Sequence, residues 1–228
     1  MSIWSRIGDA LSALANGEGL FAVFDRLRTP PERSVLFTIA VIALGAKMAK
    51  ADGQVTRNEV AAFRQVFHIP ADEEANAARV FNLARQDVAG FEEYARRIGA
   101  MFSGADGQMT LCDLMEGLFH IAIADGTYHP AEDEFLHRIS TIFGLPEREF
   151  RTLRARFVPD ARPDPWDVLG LESGAAPSAV KAAWRQLVRD THPDRMIARG
   201  LPEEAIKMAE KRLISVNRAY TEITEGRM

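Results

Sequence analysis

Between residues 30 and 157 the apolar positions recur at steps of three and four: Leu36, Ile39, Ala43; Val60, Phe63, Phe67; Leu111, Leu114, Leu118, Ile121; Phe135, Ile139, Ile142. That spacing puts the apolar side chains on one face of a helix, and no stretch of this region sustains the alternation of a strand. The pattern predicts an all-α chain with six to eight helices before about residue 158. The most apolar run, "SVLFTIAVIALGA" (34–46), is 13 residues long before Lys47. A membrane-spanning helix needs about 20, so this run predicts a buried helix instead. Helix starts are marked by a capping box at Thr56–Glu59, by Pro130 with Glu132 and by Pro146 with Glu149, while Gly53, Gly104, Gly126 and Gly144 punctuate between them.

Residues 1–29 form an amphipathic N-terminal segment. Ile3, Trp4, Ile7, Ala10, Leu11 and Leu14 make one apolar stripe, and Leu20, Phe21, Phe24 and Leu27 a second. Such stripes suit either the chain's own helical bundle or a peripheral membrane contact through residues 1–28, for instance at the inner membrane. Asp9, Glu18 and Asp25 weaken attraction to anionic lipid and favour the bundle. Arg6 and Asp9 also break the segment before any continuous apolar core, so it does not read as a secretory signal.

The pattern lapses at "VPDARPDP" (158–165), rich in proline and charge and without periodicity. It suggests a helical domain at 30–157, a linker at 158–163 and a second unit at 164–228. Over the whole chain, 47% apolar and 26% charged residues describe an ordinary soluble globular protein. The formal charge of -4 argues against nucleic acid as a partner, since neutralising phosphates requires a basic excess. Residues 1–162 carry 18 basic and 22 acidic side chains and residues 163–228 carry 10 of each, so the acidity belongs to the first domain. Cys112 is the sole cysteine, which leaves no disulfide framework or thiolate zinc site and fits a reducing cytoplasm. Its setting in "LCDLMEGLF" predicts an inert, buried thiol.

Two segments resemble each other. "ADGQVTRNEVAAFRQVFHIP" (51–70) and "ADGTYHPAEDEFLHRISTIFGLP" (124–146) both open on Ala-Asp-Gly, place a Glu seven residues after the Asp, and close on Phe-x-(Ile/Leu)-Pro. A third Ala-Asp-Gly, at 105–107, reads as a turn before the next helix. The pairs Asp52/Glu59 and Asp125/Glu132 are candidate ligands for calcium or magnesium, since clustered carboxylates suit hard cations. Helix capping is the favoured reading of both glutamates, because each falls in the first turn of an expected helix. No cofactor is required by this sequence.

In the second unit Val180, Ala183, Trp184, Leu187 and Val188 form a core-facing stripe, and Lys181, Arg185 and Arg189 form a basic row on an adjoining face. Ile206, Ala209, Leu213, Val216, Tyr220 and Ile223 make the seam of a further helix. Two antiparallel helices are expected, joined by residues 192 to about 202. Pro193 ends the first, leaving His192 near that helix's C-terminus and Asp194 projecting from the loop beside the basic row.

"PWDVLGLESGAAPSAVKAAWRQLVRDTHPDR" followed by "EKRLISVNRAYTEI" resembles a J domain, the module through which co-chaperones act on DnaK-type ATP-dependent chaperones. The similarity rests on Trp166, Leu169 and Gly170 at the start, Trp184 in the second helix, the tripeptide His192-Pro193-Asp194 and the Val216–Tyr220 stretch. The resemblance implies that the basic row and the tripeptide dock on the chaperone and accelerate its ATP hydrolysis, with His192, Pro193, Asp194, Lys181, Arg185, Arg189 and Arg195 as contacts. It also implies that this chain is not itself an enzyme. One departure is the second helix's start at Ala176-Pro177, without a capping side chain, at a cost of about 1 kcal/mol. Another is that no Gly/Phe-rich or client-binding segment follows, so general client delivery is not expected.

The Ala-Asp-Gly repeats in an all-helical domain ahead of a J-like unit resemble the TerB-like, tellurite-resistance domain of DjlA-type co-chaperones, without the membrane-spanning N-terminus of that type. The expectation is a cytoplasmic co-chaperone that recruits and stimulates a DnaK-type ATPase, its TerB-like domain binding an unidentified client, ligand or cation. The alternative is a cation- or stress-responsive adaptor whose J-like unit only docks. A hydrolase using His192 and Asp194 is disfavoured: no serine or thiol stands at suitable local spacing and there is no glycine-rich elbow.

Overall fold

The computed structural model describes residues 3–12, 19–26, 33–51, 69, 72–86, 90–102, 106–124, 126–158 and 164–226. These form twelve α-helices and no strand, so the chain is all-α. Eight precede residue 159: α1 (Ile3–Ser12), α2 (Leu20–Arg26), α3 (Arg33–Ala51), α4 (Glu74–Gln86), α5 (Phe91–Met101), α6 (Gly107–Ala122), α7 (Pro130–Ile142) and α8 (Glu147–Phe157). Four follow it: α9 (Pro165–Val168), α10 (Pro177–Asp190), α11 (Pro193–Ala198) and α12 (Glu203–Glu225).

Helix α3 is apolar on every side, which suits only a central position. Val35 to Leu44 are buried without a break, and α1, α4, α5, α6 and α7 pack around the helix. Beside it runs α6, nearly as buried, and Gly117 sets how closely the two approach. A Cβ at that position would stand 3.3 Å from Val41 Cγ1 and 3.9 Å from Met208 Cε of α12. The C-terminal helix thus reaches the crossing of the two most buried helices of the bundle.

The described apolar residues of the N-terminal stripes face largely inward. Trp4, Ile7, Leu11, Leu20, Val23 and Phe24 all lie in the core, where Phe24 meets Tyr94 edge-on at 6.1 Å. Against a membrane contact through residues 1–28, these six side chains are already covered by the bundle, which removes them from water just as a lipid surface would; Leu14 and Leu27 of the two stripes lie outside the described residues. No helix among the described residues is long and apolar enough to cross a membrane.

Two apolar clusters divide the C-terminal unit between them. Val168, Leu169, Val180, Val216, Ala219 and Ile223 form a small core of their own, with Trp166, Trp184, Leu187 and Tyr220 at its margin. Met196, Leu201, Ala205, Met208 and Ala209 instead belong to the main core with the bundle. Helix α12 therefore serves two cores, its first half packing on α6 and its second half on α9 and α10.

Candidate functional site

Helix α10 ends at Asp190, and Thr191 closes it by donating its Oγ1 hydrogen to the Leu187 carbonyl at 2.6 Å. Proline at 193 stops this helix as expected, but it also starts another. With φ fixed near -65° and no N–H to satisfy, it occupies the first position of α11. The expected open connection from 192 to about 202 thus contains a helix, and Asp194 stands in its first turn rather than in a loop. His192 lies near the C-terminus of α10 as expected, its backbone N–H donating to the Arg189 carbonyl at 3.2 Å, and it is also the residue before α11. Its Nδ1 accepts the Asp194 backbone N–H at 3.2 Å.

The tripeptide is open to solvent: the His192 side chain is 58% exposed and that of Asp194 87%, with Nδ1 and Oδ2 3.7 Å apart. Next to it Arg195 pairs with Asp190 at 2.8 Å, and Asp190 also accepts from Gln186 at 2.8 Å. Arg189 donates to Gln186. Lys181 and Arg185, both exposed, have no ion-pair partner among the described residues. The structure thus gathers Arg189, His192, Pro193, Asp194 and Arg195 around one helix junction and leaves Lys181 and Arg185 farther up α10 as free cations. The hairpin behind them is held by the Trp184 indole N–H, which donates to Asn217 Oδ1 at 2.8 Å, and by Trp184 stacked on Tyr220 at 4.7 Å. Ala176 before α10 makes no side-chain cap, as its sequence implied.

Of the four candidate cation ligands, Asp52, Glu59 and Asp125 lie outside the described residues. Glu132 accepts the His129 backbone N–H at 2.8 Å, the back-bond of a capping box at the start of α7. Nearby, Asp133 accepts from Tyr128 at 2.8 Å and pairs with Arg154 at 2.9 Å, while His137 lies 2.7 Å from Glu147. No group of three or more metal-ligating side chains occurs among the described residues. Cys112 is half-buried with Sγ 3.9 Å from Glu149; burial and the neighbouring carboxylates push its thiol far above the usual range, so it is a poor nucleophile.

A cluster that sequence reasoning missed joins the bundle to the C-terminal unit. Arg212 of α12 donates to Glu116 at 2.7 Å and lies 3.3 Å from Asp113, both on α6. Arg199, just past α11, approaches Asp113 Oδ2 at 2.8 Å as an ion pair without straight hydrogen-bond geometry. Arg156 of α8 stands 3.7 Å from Glu116 and donates to the Val168 carbonyl at 3.1 and 3.2 Å. All five side chains are at most 8% exposed. Burial pushes the Asp113 and Glu116 carboxyls upward while the guanidiniums oppose it. The available signal was an i, i+3 pair of acids inside the apolar run "LCDLMEGLF", which is costly unless cations arrive from elsewhere.

Comparison with known proteins bears on both parts of this architecture. The family model described as tellurite resistance protein TerB matches residues 38–155, from within α3 to within α8. The chain belongs to the TerB family. Outside that segment, whole-length similarity links this TerB protein to proteins named co-chaperone protein DjlA. That of Salmonella typhimurium is 24% identical, over 99% of this chain and 98% of its own. The Photobacterium profundum protein is 27% identical over 83% of this chain and 77% of its own, and that of Coxiella burnetii 28% over 79% and 73%. No solved structure matches the chain.

Proposed function

We propose that this TerB protein is a co-chaperone whose C-terminal J-like unit docks on a DnaK-type chaperone and stimulates its ATPase. One observation carries the reading: an exposed His-Pro-Asp begins a helix at the foot of a basic row whose Lys181 and Arg185 have no ion-pair partner among the described residues. The similarity to proteins named co-chaperone over nearly their full length supports it. In this reading Asp194 pairs with a cation of the partner, His192 and Pro193 hold the aspartate at the helix start, and Lys181, Arg185, Arg189 and Arg195 meet an acidic surface. Charges of this kind steer encounter and fix register, and their effect weakens with salt. The chain performs no chemistry; it changes the rate of the partner's. The setting is the cytoplasm, and the TerB-like bundle contributes contacts to a client or ligand.

The test is steady-state ATP hydrolysis by the DnaK-type chaperone of the same organism, with the intact chain and with His192→Gln and Asp194→Asn. Stimulation by the parent, lost in both variants, is the expected outcome. A parent chain that binds the chaperone without stimulating it would sink the reading in favour of a docking adaptor.

A further inference from the structure

Resting on the co-chaperone reading, we propose that α11 extends the chaperone-docking surface beyond the tripeptide, with Ile197 as an apolar contact for the ATPase partner. Among the described residues two large apolar side chains are exposed, Ile197 at 61% and Ile214 at 70%, and both lie in the C-terminal unit. A lone exposed isoleucine is ordinary; position is what separates these two. Ile197 follows Pro193 by four residues and Asp194 by three on one helix, so all three share a face of α11. Ile214 sits in mid-α12, with Glu210, Lys211, Asn217 and Arg218 as its helical neighbours.

The opposite face of α11 explains why Ile197 is displayed and not buried. Met196 is fully buried in the core shared with the bundle, Arg199 is tied to Asp113 of α6, and Arg195 is tied to Asp190 of α10. With its inward positions taken, the helix cannot roll to cover Ile197 without breaking a buried ion pair. The surface is therefore ordered before the partner arrives, which spares the ordering entropy a flexible loop would lose on binding. An apolar side chain on the same face as the exposed Asp194 also has the layout of a productive contact, a small desolvated centre within a polar surround. Charges such as Lys181 and Arg185 govern arrival, whereas burying Ile197 slows departure.

The experiment measures binding of the full-length chain to the ATP-bound DnaK-type chaperone, together with ATPase stimulation, for the parent, Ile197→Ser, Ile197→Leu and Ile214→Ser. Ile197→Ser is expected to raise both the Kd and the concentration giving half-maximal stimulation by roughly fivefold, mainly through faster dissociation. The maximal stimulated rate stays at the parent level, Ile197→Leu restores affinity, and Ile214→Ser behaves as the parent. Melting temperatures of both serine variants stay within about 2 °C of the parent, since each side chain is exposed. Parent-like affinity for Ile197→Ser overturns the proposal and leaves the co-chaperone reading standing. Equal losses for Ile197→Ser and Ile214→Ser also overturn it, because they report a change common to the whole unit. A parent that neither binds nor stimulates removes both together.

Discussion

Two groups of acidic and basic side chains flank the junction between the bundle and the C-terminal unit and are opposite in role. Asp113, Glu116, Arg156, Arg199 and Arg212 are buried and pair with one another across helices far apart in sequence. Lys181, Arg185, His192 and Asp194 are exposed and make few contacts within the chain. Desolvation separates the two groups. A charge removed from water is held to its partner strongly and costs several kcal/mol if that partner is lost, whereas an exposed charge loses little and stays available to another molecule. The first group accordingly fixes how the C-terminal unit sits on the bundle, and the second faces outward from that fixed base.

The largest expected effect comes from breaking the buried group. Glu116→Ala removes the nearer of the two carboxyl partners of Arg212 and one neighbour of Arg156, and is expected to lower unfolding stability by about 3–5 kcal/mol, read as a fall in the urea midpoint. A midpoint equal to the parent's would break the comparison. The exposed group supplies the contrast: Asp194→Asn should abolish ATPase stimulation while leaving that midpoint unchanged.

Next in size is a pH effect from a buried group outside the cluster. His120 packs edge-on against Phe157 at 4.7 Å, and its Nε2 has no hydrogen-bond partner among the described residues. Burial, assisted by Lys211, lowers its pKa to about 4. Because the folded value lies below the unfolded one, its stabilising contribution is complete above about pH 6.5 and is lost as the pH falls towards 4, on the order of 3 kcal/mol in full. Urea midpoints of the parent and His120→Gln should diverge across that interval, the parent falling more steeply. Parallel profiles would show that burial does not hold this ring neutral.

A smaller effect, of opposite sign, is expected at the uncapped start of α10. Ala176→Ser supplies an acceptor for the free N–H groups there and should raise stability by about 1 kcal/mol, visible as a higher melting temperature. The smallest is at the free cations. Lys181→Gln with Arg185→Gln should shift stability by less than about 0.5 kcal/mol and yet slow association with the chaperone, most clearly at low salt. A large stability loss there would mean that the basic row is structural.

The exposed group was easier to read from the sequence than the buried one. Lys181, Arg185 and Arg189 share a face through helical spacing alone, and Pro193 announces the end of α10 wherever that helix lies. Asp113 and Arg212 are 99 residues apart, and nothing local on α12 distinguishes Arg212 from the neighbouring surface lysines. Helix α11 escaped notice because six residues are too few for a period to emerge. The N-terminal stripes were visible, but amphipathicity is the same whether its apolar side meets lipid or protein; only the covered faces of Trp4, Ile7 and Phe24 decided between them.

Local chemistry, by itself, determined that the chain is all-α, that residues 34–46 form a core helix, and that a tripeptide with a basic row stands at a helix end. These follow from interactions reaching no more than a few residues along the chain. Tertiary structure alone decided that α12 belongs to two cores, that three guanidiniums and two carboxyls distant in sequence meet beneath α11, and that the tripeptide therefore begins an anchored helix. Burial is a property of neighbours in space, and the desolvation that makes Asp113 structural and Asp194 available arises only once those neighbours have come together.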